Sequence, residues 1–512
     1  MSNPANAAAT GPNPQVYIDG LLQGLAGQPN GIVLRHRGQD VTAVQFLASV
    51  YRHARALAGV GIGRGKLVAL FAPNCPQAVA IRYASHVLGA ATVYLSAPAS
   101  AQRRAELVEQ MVPDLLVVFP ETARLLPPHV ACPVASVGGA LPAPAPQLDR
   151  LAAAQAPEPM DVRARPQDLG VVVCSGGTTG VPKGSWRTFA SYSAMVLSPS
   201  APGRRQLVNG PLAYLSQVLV DTTLLGGGCV IFRDAYDAAD TLATVEHERV
   251  TDLFLVEPQL FELMDHPDLP HRDHSSLRAI THIGASAAPT LRLRARERLG
   301  AVLAHSYGAS EMGLVSILTP AEHDLSRPQR FTCAGRIREG VEIRFRRVED
   351  NALAAPAEPG SIEVRSPAVA GGYRHRPELQ AQAFKDGWYR SGDLGRVDDE
   401  GCLHILGRVA DIRWIDGRMV SPTLVQDTLC HLAQVRYCVV VVDAEAGHWV
   451  AAVVPWPGMP FDERVCRGAV AAEFGDAFAG AIVFVAMARV PLTEQGKPDR
   501  IALEAMGRGQ SG

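Results

Sequence analysis

Nine cysteines are scattered through 512 residues without one Cys-x-x-Cys pair. That spacing and the odd count exclude a disulfide framework and a structural zinc site, and suit reduced thiols in a cytoplasmic protein. Charge of either sign is missing in excess: 48 basic and 50 acidic residues leave a formal charge of −2. No long-range field therefore draws in nucleic acid or an acidic lipid surface. Apolar runs are short, none near the ~20 residues that span a bilayer. The segment Met1–Gln15, rich in Asn, Ala and Pro, has no charged and apolar leader pattern and reads as a disordered tail. Also missing is Gly-Lys-Ser/Thr at the spacing of the common phosphate-binding loop.

What is present suits a soluble globular chain: 47% apolar and 19% charged residues. Its length exceeds what one core supports, so more than one domain is expected. Apolar residues recur at helical spacing over Val41–Gly59. Leu67–Phe71, Leu115–Phe119, Cys229–Phe232 and Leu253–Val256 are short buried-strand patterns, and their alternation with helices implies α/β layers. Pro127–Pro159, dense in Pro and Ala, reads as a connector loop. From Phe331 to Leu406 the pattern shifts to shorter strands (Val341–Phe345, Ser361–Arg365, Cys402–Leu406), a mostly β subdomain. Beyond it a helix near Thr423–Ala433, the run Val439–Val442 and the strand Trp449–Val454 form a final α+β unit of about a hundred residues. The arginines of Leu291–Arg298 read as the solvated side of a helix.

The most informative stretch is Cys174–Gly184, Cys-Ser-Gly-Gly-Thr-Thr-Gly-Val-Pro-Lys-Gly, directly after the apolar Leu169–Val173. A buried strand ending there exposes backbone N–H groups, hydroxyls and the Lys183 cation together, a donor set for a polyphosphate. A plain glycine turn would need neither Pro182 nor a charge at Lys183. Four further segments follow in order. Ser306–Glu311 holds Tyr307 and a carboxylate, Glu311, able to hold Mg²⁺ on a phosphate. Tyr389–Leu394 offers Asp393 as a double acceptor for a ribose diol. Gly407–Asp411 follows a strand as a hinge or a simple strand end, and Pro491–Arg500 sets Lys497 on a Gly/Pro loop. Taken singly, each also reads as an ordinary turn or surface residue.

Together and in this order they resemble the adenylate-forming superfamily of acyl- and aryl-CoA synthetases, adenylation domains and luciferases. The resemblance runs from residue 40 to Arg500, through the phosphate loop, Tyr307–Glu311, Arg390–Leu394, Gly407–Asp411 with Gly417, and Thr493–Lys497. Gly284–Ser286 and Gly371–Tyr373 match weaker motifs. It implies an α/β fold: a large N-terminal domain (16–410) of two α/β subdomains and a β subdomain, with a small α+β C-terminal domain (411–512) hinged at Asp411. It implies ATP, Mg²⁺ and coenzyme A, with a carboxylic acid converted to acyl-AMP and then to a thioester. On this chain Thr178, Thr179, Gly180 and Lys183 would hold phosphates, Glu311 the Mg²⁺, and Asp393 and Arg408 the ribose. Gly284, Ala285, Ser286 and Tyr307 would line the adenine slot. Lys497 would bridge carboxylate and nucleotide, and the Gly417 region would enter the site after the small domain turns.

The chain departs from the family at Tyr214, where a histidine is usual, at Phe189, and at Trp414, where a lysine is frequent. Trp186 and Phe189, just beyond the loop, are expected to crowd the phosphates. No aspartate stands near Tyr214-Leu215 to pair with an amino group. With Val218, Gly308 and Gly313 they imply a pocket for an apolar carboxylic acid rather than an amino acid. The expected thiol is CoA, coming from outside the chain, with a carrier protein as an alternative. A homologue that only converts preformed acyl-AMP, and a silent binding homologue, are the other possibilities. Neither nucleic acid nor membrane is an expected partner, and the expected state is monomer or homodimer. The Ala-, Arg- and Gly-rich composition suits a bacterial natural-product pathway.

Overall fold

The structure, a computed structural model, describes residues 16–510 apart from 98–99, 143, 176–182, 199, 284–286, 416, 444 and 446. The expected tail 1–15 thus lies outside the described residues. Short strands that are apolar on both faces build two α/β sheets. In the first, Leu67–Phe71 is buried at every position and pairs in parallel with Ala91–Tyr94 on one side and Leu115–Val118 on the other. Full burial on both faces is what a helix-covered parallel sheet demands. Leu169–Ser175 extends this sheet, and Lys183–Thr188 returns antiparallel with Ser175 opposite Lys183. Gly372–Tyr373 closes that edge.

The second sheet has nine strands, with Asp252–Leu255 at its centre and the hairpin Leu303–Ala309/Gly313–Leu318 towards one edge. A five-stranded antiparallel sheet (Glu342–Arg346, Gly360–Arg365, Trp388–Val397, Phe384–Lys385 and Leu403–Arg408) is the expected β subdomain. The smaller C-terminal domain holds the hairpin Arg413–Ile415/Arg418–Val420 and a three-stranded sheet, Val435–Asp443, His448–Pro455 and Ile482–Ala486, flanked by helices. The fold is therefore the expected large α/β unit followed by a small α+β one.

Local chemistry accounts for most boundaries. The helix Ala43–Gly59 begins two residues later than its periodicity predicts, because Thr42 and Gln45 form a reciprocal capping box that fixes the first turn. Ser421 caps Pro422–Cys430 in a similar place, its hydroxyl accepting from Leu424 N–H. The Pro/Ala stretch 127–159 is not one loop. It contains the strand Val134–Ser136, paired with Leu115–Val118, and the helix Leu148–Ala153. Three residues suffice for an edge strand when the neighbour supplies the ladder, and so short a run has no visible period.

The arginine-rich helix Pro289–Leu299 corrects a second expectation. Arg292 is 2% exposed, with its guanidinium donating to the Phe331 and Cys333 carbonyls. Arg294 pairs with the buried Asp265. These cations tie the helix to its neighbours rather than facing water.

Beneath the first sheet lies a buried ionic cluster. Arg82 forks onto Asp221 at 2.7 and 2.9 Å, and Tyr83 and Tyr192 donate hydroxyls to the same carboxylate at 2.5 and 2.6 Å. Both charges are essentially inaccessible. Asp221 sits on the helix Gln217–Leu225, so the cluster fixes that helix from its core side.

All nine cysteines are free thiols, as their spacing suggests. Among the described residues no helix is long and apolar enough to cross a membrane.

Candidate active site

A continuous cavity of about 1660 Å³ runs between the two domains and into the larger one. Its lining includes Lys183, Tyr214, Leu215, Val218, Tyr307, Gly308, Glu311, Gly313, Asp393, Arg408, Asp411 and Lys497. The structure therefore gathers residues spread over more than three hundred positions. Thr178, Thr179, Gly180, Gly284, Ala285 and Ser286 lie outside the described residues. Gly417 is at the tip of the hairpin Arg413–Ile415/Arg418–Val420 and is not in the cavity wall.

The turn between Leu303–Ala309 and Gly313–Leu318 presents Glu311, which is 7% exposed rather than a surface carboxylate. The close approach of these strands requires Gly308: a Cβ there would stand 2.4 Å from the Gly313 carbonyl oxygen. Glu311 accepts from the Tyr373 hydroxyl at 2.9 Å, and the Lys183 ammonium lies 5.4 Å from the centre of the Tyr373 ring. Tyr373 thus stands between the cation expected to hold phosphates and the carboxylate expected to hold Mg²⁺. In the sequence it belongs only to the weak motif Gly371–Tyr373.

Asp393 accepts from the Tyr307 hydroxyl at 2.6 Å and pairs with Arg408 Nε at 3.1 Å. Burial raises its pKa above the ordinary carboxylate value, while Arg408 and the Tyr307 hydroxyl draw it back. A carboxylate offers about four acceptor positions, so these neighbours do not exhaust it. Arg408 Nη1 donates to the Ser391 carbonyl at 2.8 Å, which holds the guanidinium beside Asp393.

Lys497 approaches from the C-terminal domain. Burial of its ammonium, then the positive Arg408, push its pKa below the ordinary lysine value, with Glu311 opposing. Gly496, at φ 77°, makes the turn that delivers it; a Cβ there would meet Gln259 Nε2 at 2.8 Å. Two flanking contacts clamp this loop. Glu494 accepts from Tyr214 at 2.8 Å, and Arg500 forks onto Asp411 at 2.7 and 3.0 Å. Neither partner was visible as such in the sequence, although Tyr214 and Asp411 were singled out.

Trp186 and Phe189 do not crowd the phosphate side. Alternation along Lys183–Thr188 sends Trp186 to the face opposite Lys183, where a Cβ on Gly371 would lie 2.2 Å from its ring. Phe189 is fully buried and meets His86 edge-on at 5.2 Å.

The two domains meet through apolar contact, with Tyr437 stacked on Phe261 at 4.0 Å, and through polar pairs that include Arg436 with Asp265, Arg489 with Glu262 and Gln426 donating to Glu257. Burial pushes the Glu257 carboxyl up to about 8, against the lowering effect of Gln426; Cys430, Tyr437 and Cys438 are its other titratable neighbours. The folded chain therefore keeps a proton that the unfolded chain releases near 4.5. Stability contributed here is complete below the unfolded value and falls as pH rises towards about 8, by up to about 1.4 kcal/mol per pH unit. Glu257→Gln is expected to remove that slope: measured by thermal melting across this window, the variant should gain on the wild type as pH rises. Parallel melting curves for the two proteins would show that the carboxyl is ionised in the fold.

Comparison with known proteins agrees with this geometry. The AMP-binding enzyme family model matches residues 22–374. The chain is 31% identical to a medium/long-chain-fatty-acid–CoA ligase of Mycobacterium tuberculosis, over 93% of this chain and 88% of that one. It is 30% identical to a feruloyl-CoA synthase of an Amycolatopsis species, over 85% and 87%. Among solved structures, the amide bond synthetase McbA of Marinactinospora thermotolerans superposes with a TM-score of 0.84 at 30% identity, covering 96% of this chain and 99% of that one. Motif order, the gathered residues and these matches over most of the length agree, and the chain belongs to the AMP-binding enzyme family.

Proposed function

We propose that this protein activates a carboxylic acid with ATP and passes the acyl group to coenzyme A. The observation that carries this reading is Lys497, brought by the small domain into a cavity already holding Glu311, Arg408 and Asp393. A carboxylate oxygen attacks the α-phosphorus of ATP, and the bond to pyrophosphate breaks. Lys497 offsets the charge shared between the acid and the α-phosphate in a site with little water. Lys183, with Thr178, Thr179 and Gly180, holds the leaving phosphates. Asp393 and Arg408 fix the ribose, while Tyr307 and Gly284–Ser286 flank the base.

Among the described residues no group of three or more His, Cys, Asp or Glu is placed to hold a metal. That fits a magnesium ion arriving on the nucleotide, which keeps mostly water and phosphate oxygens and needs one or two protein carboxylates. Glu311 would supply that contact, and the ion would neutralise phosphate charge.

The second step needs Lys497 withdrawn. With Asp411 as hinge between 16–410 and 411–512, a turn of the small domain breaks the Tyr214–Glu494 contact and carries Gly417 into the cavity. The thiol sulfur then attacks the acyl carbon, losing its proton as AMP leaves. The likeness to an amide bond synthetase over 96% of the chain favours an amine as the alternative acceptor.

The test is pyrophosphate release with a panel of carboxylic acids, followed by mass spectrometry with CoA or an amine added. Acid-dependent release and an acyl-CoA mass support the proposal. Release without thioester, but with amide, favours the alternative. No release with any acid, while synthetic acyl-AMP and CoA give thioester, would overturn the adenylating assignment.

A further inference from the structure

The cavity continues well past the expected reaction centre. One wall is the helix Gln217–Leu225, nine residues that advance about 13 Å from the Tyr214 end. The middle is apolar, with Val218, Leu219, Leu314 and Ile317 in the wall. The far end is not. Ser198, Ser200 and Arg338 are in the lining, with Ser200 where Gly226 ends the helix: a Cβ on Gly226 would collide with the Ser200 side chain.

This polar end is only partly satisfied. Arg338 Nη2 donates to Ser198 Oγ at 3.1 Å, its backbone N–H is held by the Val315 carbonyl at 2.9 Å, and its guanidinium has no carboxylate partner among the described residues. Ser200 Oγ is buried and has no hydrogen-bond partner among them. A guanidinium with a planar donor fork still open, beside an unpaired hydroxyl at the end of an apolar channel, is a receptor for a carboxylate.

We propose that Arg338, with Ser198 and Ser200, selects acids that carry a second carboxylate at the end remote from the one activated. The substrate is then an elongated dicarboxylic acid: one carboxylate lies by Lys497, an apolar body runs along Val218 and Leu219, and the other carboxylate meets Arg338. This deepens the acid-activating assignment and rests on it.

The experiment compares α,ω-dicarboxylic acids with monocarboxylic acids of matched chain length in pyrophosphate release, across a length series. The wild type should favour the diacid at its best length by about ten- to hundredfold in kcat/KM, carried mainly by KM, as expected for one charged hydrogen-bonded contact. Arg338→Met should collapse the diacid-to-monoacid ratio by a similar factor, and Arg338→Lys should retain part of it. Equal use of both acid classes by the wild type, or an unchanged ratio in Arg338→Met, overturns the inference while leaving acid activation standing. If no acid supports release, binding of acyl-sulfamoyladenosine analogues decides. Tighter binding of the carboxylate-ended analogue supports the inference independently of turnover, and equal binding overturns it. Those analogue affinities also serve if Arg338→Met does not fold.

Discussion

Lys497→Ala is expected to lower ATP- and acid-dependent pyrophosphate release by about 10²–10³-fold, the usual loss when one aimed donor is removed from a closed site. The reason lies in its surroundings. The ammonium is desolvated beside Arg408 and Glu311, so its charge acts in a poorly screened space where attraction to a developing phosphate–carboxylate arrangement is strong. On the proposed two-position account its effect is confined to the first half-reaction, because the loop that carries it would leave before a thiol enters. The same variant should therefore convert supplied acyl-AMP and CoA to thioester within a few-fold of the wild type. Both rates are measured on one preparation, by coupled pyrophosphate release and by chromatography of the thioester. Equal loss in the two assays would mean that Lys497 supports the fold or a step common to both, and the two-position account of the small domain would fall.

The largest effect on stability is expected at Asp221. Asp221→Ala leaves Arg82 buried with no counter-charge, a change that typically costs about 3–5 kcal/mol. Tyr83 and Tyr192 lose their shared acceptor as well. The apparent melting temperature should drop by several degrees, and acid activation should weaken in parallel, since the helix Gln217–Leu225 holds the pocket wall on its other face. The double variant Arg82→Met/Asp221→Ala should recover part of the loss, because removing both charges takes away the uncompensated one. A single variant that melts within the range of an exposed pair, about 1 kcal/mol or less, would show that water reaches the site.

The sequence was legible where the physics is local. Leu67–Phe71 and Cys229–Phe232 were read to the residue, since an apolar run bounded by turn residues has few alternatives. Lys183, Glu311, Asp393, Arg408 and Lys497 were legible through motifs whose order restricts chance, and they line one cavity. What escaped notice depends on partners far apart in the chain. Arg292 read as solvated because nothing near it announces the Phe331 and Cys333 carbonyls. Glu257 and Gln426 meet across 169 positions, and Arg338 and Ser198 across 140. A lone arginine or glutamate gives no sign of burial until tertiary packing has taken its water away. Trp186 shows the converse error: nearness in sequence to the phosphate loop suggested obstruction, and strand alternation turned the ring the other way.

The hairpin that carries Gly417 also carries Trp414, which is 61% exposed, while Trp388 and Trp449 are buried and Trp186 and Trp456 are half-buried. It is the most exposed of the five tryptophans, and it rides on the segment that the proposed turn would carry into the cavity. The chain thus contains its own fluorophore for the rearrangement. The colour of Trp414 emission, read against a Trp414→Phe control, can follow the position of the small domain in real time without any attached dye.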